Sequence, residues 1–142
     1  MMDYEKFEKE CERIRQDNNV LLSEFSAWLR KEGLAGKTIQ KHRSNVDFYI
    51  NDYLLCEEPT EAKDGATGIG FFLGYWFIKK AAWSSVAKIK ENASSLKKFY
   101  QFLCEKGLID PCDLMILNQT IKQRMPEWIE EMEQYDDSSL EY

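Results

Sequence analysis

Histidine is nearly absent from the sequence, and closely paired cysteines are missing altogether. The only histidine is His42, and the four cysteines, at positions 11, 56, 104 and 112, form no Cys-x-x-Cys pair. Zinc sites draw their ligands from such close pairs, so we expect no metal site and reduced, mostly buried thiols. His42 lies on the apolar stripe of a predicted helix, which favours a packed core residue over a catalytic base. We therefore expect no enzyme activity and no cofactor.

Long hydrophobic runs are missing as well. The longest candidate, IGFFLGYWFI from Ile69, has about half of the roughly 18 residues that a membrane helix needs, and it predicts a buried helix. The first residues, MMDYEKFEKE, are acidic and charged, unlike a secretory signal. Because 44% of the residues are hydrophobic and 13% are aromatic, we expect a packed cytoplasmic protein that does not associate with a membrane.

The triplet Gly36-Lys37-Thr38 closes a glycine-containing turn, as it does in a phosphate-binding loop. Such a loop also needs a second glycine five residues before Gly36 and a hydrophobic strand that leads into it. Lys31 occupies the first of these positions, and the apolar residues before the turn are spaced three and four apart, which predicts a helix. We therefore do not expect a nucleotide-binding loop.

The net charge of −6 is unevenly distributed along the chain. Residues 33–107 carry eleven basic and eight acidic groups, a net charge of +3, whereas residues 108–142 carry two basic and nine acidic groups, a net charge of −7. A basic segment can attract a polyanion even when the whole chain is acidic. The charge pattern is therefore compatible with nucleic-acid binding by the middle of the chain.

Apolar residues recur three and four positions apart along most of the chain, and no segment shows the alternation of a strand. Two helices are predicted before Gly33, because Asp17-Asn18-Asn19 can end one helix and cap the next. The further predicted caps are Thr38, Thr67 and either Ser84 or Ser85, and the predicted stops are Gly33 and Gly107. The predicted helices cover about residues 3–16, 20–32, 39–55, 67–80 and 85–106, and another begins at Asp110-Pro111.

The end of the chain departs from this regular pattern. Pro126 is predicted to kink or end the last helix, because proline lacks the backbone N–H, and the acidic residues after it are predicted to fray. We therefore expect an all-α bundle of five or six helices, with a helical domain at 1–123 and an acidic C-terminal tail at 124–142. A flexible tail of this charge can compete with DNA for a basic surface; alternatively, Trp128, Ile129 and Met132 pack the segment on the bundle.

The order of the predicted elements resembles a known family. Thr38, Ile39 and Arg43 match a Thr-Ile-x-x-Tyr-Arg helix start, in which His42 replaces the tyrosine. A later helix is similar to the pattern Ser-x-Leu-Arg-x-Phe-Phe-x-x-Leu followed by glycine and Asn-Pro; the matching residues are Ser94, Leu96, Lys97, Phe99, Tyr100, Leu103, Gly107 and Asp110-Pro111. Over about residues 20–115 the chain resembles the N-terminal core-binding domain, often called SAM-like, of tyrosine recombinases of the phage integrase type.

This resemblance implies a non-catalytic DNA-binding module linked to DNA recombination or integration, because the family's catalytic domain has no counterpart after residue 115. It also implies that the helix start near Gly36 approaches the DNA backbone, although Glu91 or Asn92 stands where the family carries an arginine. The candidate phosphate contacts there are Lys37, Thr38, Lys41 and Arg43.

On a helical wheel, Lys90 and Lys97 share one face with Ser94 and Gln101, while Lys88 and Lys98 point elsewhere. We expect Lys90, Ser94 and Lys97 to contact phosphate as well.

The expected partner is double-stranded DNA, contacted at its backbone, with no small-molecule cofactor. The alternative is a helical protein-interaction module that keeps the fold and has lost DNA binding, with another protein as its partner.

Overall fold

The computed structural model describes the backbone of residues 3–140 and the side chains of residues 3–137. Within residues 3–140 the protein is all-α, with no strand, which confirms the predicted fold class. The chain divides into two compact units, Met1–Gly65 and Ala66–Tyr142. No helix among the described residues combines the length and the apolar character that crossing a membrane requires.

The first unit is built mainly from two helices. α1 spans Tyr4–Lys31, and α2 spans Gly36–Phe48 and continues as a π turn over Tyr49–Tyr53. His42 is buried, with 6% of its surface exposed, as predicted for a core histidine. The buried apolar residues of this unit include Leu22, Phe25, Leu29, Ile39, Val46 and Ile50.

α1 is one helix where the sequence pattern predicted two. The break expected at Asp17-Asn18-Asn19 is wrong, because the Asn18 side chain is buried and bonded to the π turn. Its Nδ2 atom donates to the Ile50 carbonyl oxygen at 3.2 Å and to Asn51 Oδ1 at 2.8 Å. An asparagine whose side chain is satisfied by a neighbouring element does not compete for the backbone of its own helix, so α1 continues through it.

The turn between α1 and α2 depends on Gly33, whose φ of 91° lies in the left-handed region that glycine adopts without strain. The Leu34 N–H donates to the Leu29 carbonyl oxygen at 3.2 Å and closes the end of α1.

α2 begins earlier than predicted, with Ala35 as its N-cap and no side-chain cap. The predicted cap at Thr38 is therefore wrong, because Thr38 already lies within the first turn of α2.

The second unit contains an interrupted helical stretch followed by two long helices. The interrupted stretch begins after a 3-10 turn at Ala66–Gly68, and Gly68 rather than the predicted Thr67 is its N-cap. The core of the second unit includes Ile89, Leu96 and Leu103. The elements are α3 (Ile69–Phe71), a π turn (Phe72–Trp76), α4 (Phe77–Lys80), α5 (Val86–Glu105) and α6 (Pro111–Leu140).

α5 has the boundaries that the sequence pattern predicts. The Ser85 hydroxyl accepts a hydrogen bond from the Lys88 N–H at 3.1 Å, which caps the first turn. Gly107 has a φ of 80° and follows the last residues of the helix. The cap and the stop predicted for this helix are therefore confirmed.

α6 corrects the prediction of a fraying acidic tail. The helix continues through Pro126 to Leu140, and Trp128 and Met132 are 0% and 1% exposed. A proline inside a helix costs about 3 kcal/mol, whereas burying a large apolar side chain yields about 1.5–3 kcal/mol. Two such side chains offset the cost, so the described part of this segment packs on its unit, as the alternative interpretation expected.

Gly74 explains how α6 comes so close to the π turn. A Cβ atom added at Gly74 would lie 2.7 Å from Trp128 Cδ1, and one added at Gly70 would lie 2.5 Å from Arg124 Nη1. The glycines of this stretch weaken a helix in general, but here they leave the room that the α6 side chains occupy.

The cysteines are less buried than expected. Cys11 is buried and Cys104 is half-buried, whereas Cys56 and Cys112 are exposed, so the prediction of mostly buried thiols is wrong for two of the four. Cys56 lies just after the π turn of the first unit and Cys112 in the first turn of α6, where neither faces a core. Burial raises the pKa of the Cys11 thiol. Among the described residues, no group of three or more His, Cys, Asp or Glu side chains is placed to hold a metal ion.

Candidate nucleic-acid interface

The start of α2 (residues 36–43) presents two lysines to solvent. Lys37 and Lys41 are exposed, and Thr38 is half-buried. No side chain caps this helix start, and the N–H groups of a helix N-terminus attract anions. A Cβ atom added at Gly36 would meet nothing within 4 Å, so the backbone there is open to a close approach. The start of α2 therefore has the chemistry of a weak phosphate contact.

Arg43 does not take part in this exposed group as the sequence pattern predicted. It is half-buried, and its Nη1 atom donates to the Leu22 carbonyl oxygen at 3.4 Å and to Ser26 Oγ at 3.2 Å. Leu22 and Ser26 belong to α1, so the guanidinium group joins α2 to α1. A side chain held on α1 in this way has less freedom to reach a phosphate, and a contact of Arg43 with DNA stays a prediction.

The second set of predicted residues lines one groove between α5 and α6. This α5–α6 groove has a volume of about 430 Å³. Lys90, Ser94 and Lys97 lie on it together with Gln101, all four from α5 and all exposed. Their spacing of four, three and four residues places them on one helix face, as the helical wheel indicated. The remaining lining residues are Ala93, Lys98, Asn118, Ile121 and Met125.

Lys98 corrects the helical-wheel prediction. It was expected to point away from Lys97, but it is half-buried and lines the same groove. A lysine side chain can lie along apolar surface while its ammonium group stays in water, so Lys98 reaches the groove from a neighbouring position of the helix. Three lysines therefore line the groove, and no Asp or Glu is among the described residues that line it.

Asn118 is the polar residue of the groove that sequence reasoning missed. Its Oδ1 atom is buried and has no hydrogen-bond partner among the described residues. A buried polar atom without a partner is costly, and such atoms are uncommon in native proteins. Asn118 comes from α6, about 20 residues from the α5 face along the chain, so neither periodicity nor spacing indicates that it joins this site.

The position at which the resemblance requires an arginine is occupied differently here. The Glu91 carboxylate lies 3.4 Å from Lys88 Nζ, and Asn92 is buried, with its Nδ2 atom donating to the Lys88 carbonyl oxygen at 2.8 Å. Both side chains are thus engaged on α5 itself. The positive charge of this helix comes from its lysines instead.

Comparison of the chain with models of protein families, with curated proteins and with solved structures finds no match. A function for the chain must therefore rest on the chemistry of the start of α2 and of the α5–α6 groove, together with the resemblance of the sequence pattern.

Proposed function

We propose that the protein is a non-catalytic module that binds the phosphate backbone of double-stranded DNA, in the manner of the core-binding domain that its sequence resembles. The observation that carries the proposal is the α5–α6 groove. Its described lining places Lys90, Lys97 and Lys98 around one opening without a carboxylate, although the chain as a whole has a net charge of −6. The link to DNA recombination or integration rests on the sequence resemblance alone.

The chemistry of the groove suits a phosphodiester better than a small neutral ligand. Three ammonium groups attract phosphate oxygens and release condensed counterions when DNA binds. The Ser94 hydroxyl and the Gln101 side-chain amide supply neutral donors beside them. Lysine ammonium groups bind phosphate as point charges, and contacts to phosphate position a protein on DNA without reading its sequence, so the lysines of the groove favour backbone contact.

The absence of catalysis is part of the proposal. A tyrosine that attacks phosphate needs cationic groups that hold the phosphate and a base or acid beside it. Tyr135 is the candidate nearest the end of the described side chains. Lys79 Nζ lies over its ring at 5.1 Å, and a single lysine held against the ring does not supply the set of groups that such a reaction needs. His42 is buried in the other unit's core and offers no exposed base. We expect no covalent protein–DNA adduct on a denaturing gel.

The proposal is tested by titrating a labelled, random-sequence duplex with the protein at salt concentrations between about 20 and 200 mM. Each phosphate contact contributes about −0.9 to the slope of log K against log salt, so three lysines predict a slope of roughly −3 or steeper. Absence of binding at the lowest salt would contradict the proposal and favour a protein-interaction module instead.

A further inference from the structure

The second unit exposes a compact group of aromatic rings that its core does not use. Phe71 is 55% exposed, Tyr75 is 50% exposed and Tyr135 is 37% exposed. The Phe71 and Tyr75 ring centroids lie 5.0 Å apart, and Lys79 Nζ lies 5.3 Å from the Tyr75 ring centroid and 5.1 Å from that of Tyr135. These four residues, from α3, the π turn, α4 and α6, form the aromatic patch.

The aromatic patch is separate from the aromatic core of the second unit. The same helical stretch buries Phe72 and Phe77 completely, so the aromatic residues of this stretch are divided between a packed face and an exposed one. Contiguous exposed aromatic surface on a folded unit marks an interaction site more often than single exposed residues do. Aromatic side chains are also enriched at the centres of protein interfaces.

The α6 side of the aromatic patch is acidic. Residues 127–137 contain six acidic groups and no basic group. Glu127 and Glu131 are exposed and precede Tyr135 by eight and four residues, which places all three on one stripe of α6. Of the two carboxylates, Glu127 already pairs with Arg124 Nε at 3.3 Å. A surface with this rim repels DNA and anionic lipid, and it attracts cations.

Two rings of the aromatic patch already bind a basic side chain of the protein itself. Lys79 already lies between the faces of Tyr75 and Tyr135, an arrangement stabilised by the attraction of a cation to an aromatic ring. An incoming arginine is suited to the exposed ring faces because its planar guanidinium group both stacks on an aromatic ring and pairs with a carboxylate.

We propose that the aromatic patch binds a basic, amphipathic segment of another protein, with apolar and arginine side chains on the rings and further basic side chains paired with the acidic residues of α6. A second copy of this chain fits the patch poorly, because its net charge of −6 adds repulsion at an acidic rim. This inference stands on other residues than those of the α5–α6 groove and does not depend on DNA binding.

The test uses fluorescence anisotropy with a labelled amphipathic peptide built from leucine and arginine, and the same peptide with glutamate in place of arginine. The double variant Phe71→Ser/Tyr75→Ser removes two rings without changing the charge, and we expect it to weaken binding of the arginine peptide at least about tenfold. Tyr135→Ser changes the α6 side of the patch and is expected to weaken binding as well.

The matched control is the double variant Met115→Ser/Ile116→Ser, which removes two apolar side chains that are 56% and 57% exposed at the start of α6. This control is expected to bind the arginine peptide like the wild type. Equal binding by the Phe71→Ser/Tyr75→Ser variant and the wild type would overturn the proposal, since the attraction would then be charge alone. Equal binding of the glutamate peptide would overturn it too.

Two further measurements separate this proposal from its alternatives. Sedimentation equilibrium of the wild type should show a monomer, and self-association that the Phe71→Ser/Tyr75→Ser variant abolishes would make a second copy the occupant instead. The same variant should bind duplex DNA like the wild type. A loss of duplex binding would assign the patch to the DNA surface and contradict a separate protein site.

Discussion

The start of α2 and the α5–α6 groove both present lysines, but they are built in different ways. The start of α2 is a local feature of one helix, where Lys37 and Lys41 are exposed and Arg43 is bonded to α1. The groove is a tertiary feature, since its lysines come from α5 while Asn118, Ile121 and Met125 come from α6. The number of basic residues in a segment is therefore a weaker indication of a binding surface than the contacts that each basic side chain makes.

The largest expected change in the free energy of unfolding concerns the packing of α6, which forms one side of the groove. Trp128 is 0% exposed and packs where Gly74 leaves room for it, so Trp128→Ala should lower the free energy of unfolding by about 3–5 kcal/mol. Urea denaturation measures the change. Trp83→Ala is the matched control, because Trp83 is 54% exposed and its removal should cost far less. Equal effects of the two substitutions would show that α6 is not held by Trp128.

Smaller changes in the free energy of unfolding are expected from two glycine substitutions, one in the packed second unit and one at the open start of α2. Gly74→Ala places a Cβ atom 2.7 Å from Trp128 Cδ1, and overpacking of this kind costs about 1–3 kcal/mol. Gly36→Ala meets nothing within 4 Å and should stabilise by up to about 1 kcal/mol, because alanine restricts the unfolded chain. Thermal or urea unfolding measures both variants.

Gly70→Ala is an intermediate case that sharpens the same comparison. The atom its Cβ would meet is Arg124 Nη1, at 2.5 Å, the end of a long and flexible side chain that can move away. We therefore expect Gly70→Ala to cost clearly less than Gly74→Ala. A cost as large as that of Gly74→Ala would mean that Arg124 is fixed in place.

Arg43 should matter more for folding than for phosphate. Its hydrogen bonds to Leu22 and Ser26 join α2 to α1, and a hydrogen bond from a charged group contributes about 1.5–3 kcal/mol when well buried. Because Arg43 is only half-buried, we expect Arg43→Ala to cost about 1–2 kcal/mol in urea unfolding. Lys37→Ala, which removes an exposed lysine of the same helix start, should stay within about 0.5 kcal/mol. A stable Arg43→Ala variant that binds DNA more weakly would restore Arg43 to the phosphate site.

The parts of the fold that could be predicted from the sequence are those in which local chemistry decides the outcome. Ser85 caps α5 and Gly107 follows its end because both signals act within one or two turns. The face of α5 that carries Lys90, Ser94 and Lys97 was predictable for the same reason, since a regular helix fixes the directions of side chains from their spacing alone.

The parts that could not be predicted depend on distant residues. Asn18 resembles a helix cap in the sequence, but the Ile50 carbonyl oxygen and Asn51 satisfy its side chain. Pro126 resembles a helix end, but burial of Trp128 carries α6 past it. Asn118 joins the groove only because α6 packs on α5. For Asn18 and Pro126 a tertiary contact outweighs the local preference, and for Asn118 a tertiary contact creates a role that no local signal indicates.

The measurement that tests the account most directly compares two triple variants in salt-dependent binding of duplex DNA. Lys90→Ala/Lys97→Ala/Lys98→Ala removes the three ammonium groups of the α5–α6 groove, and Lys6→Ala/Lys9→Ala/Lys63→Ala removes three exposed lysines of the first unit, so both variants have the same net charge. The groove variant should flatten the slope of log K against log salt by about 2–3 units, and the control variant by less than about one. Equal slopes for the two variants would mean that net charge alone governs binding, and would contradict a phosphate site in the groove.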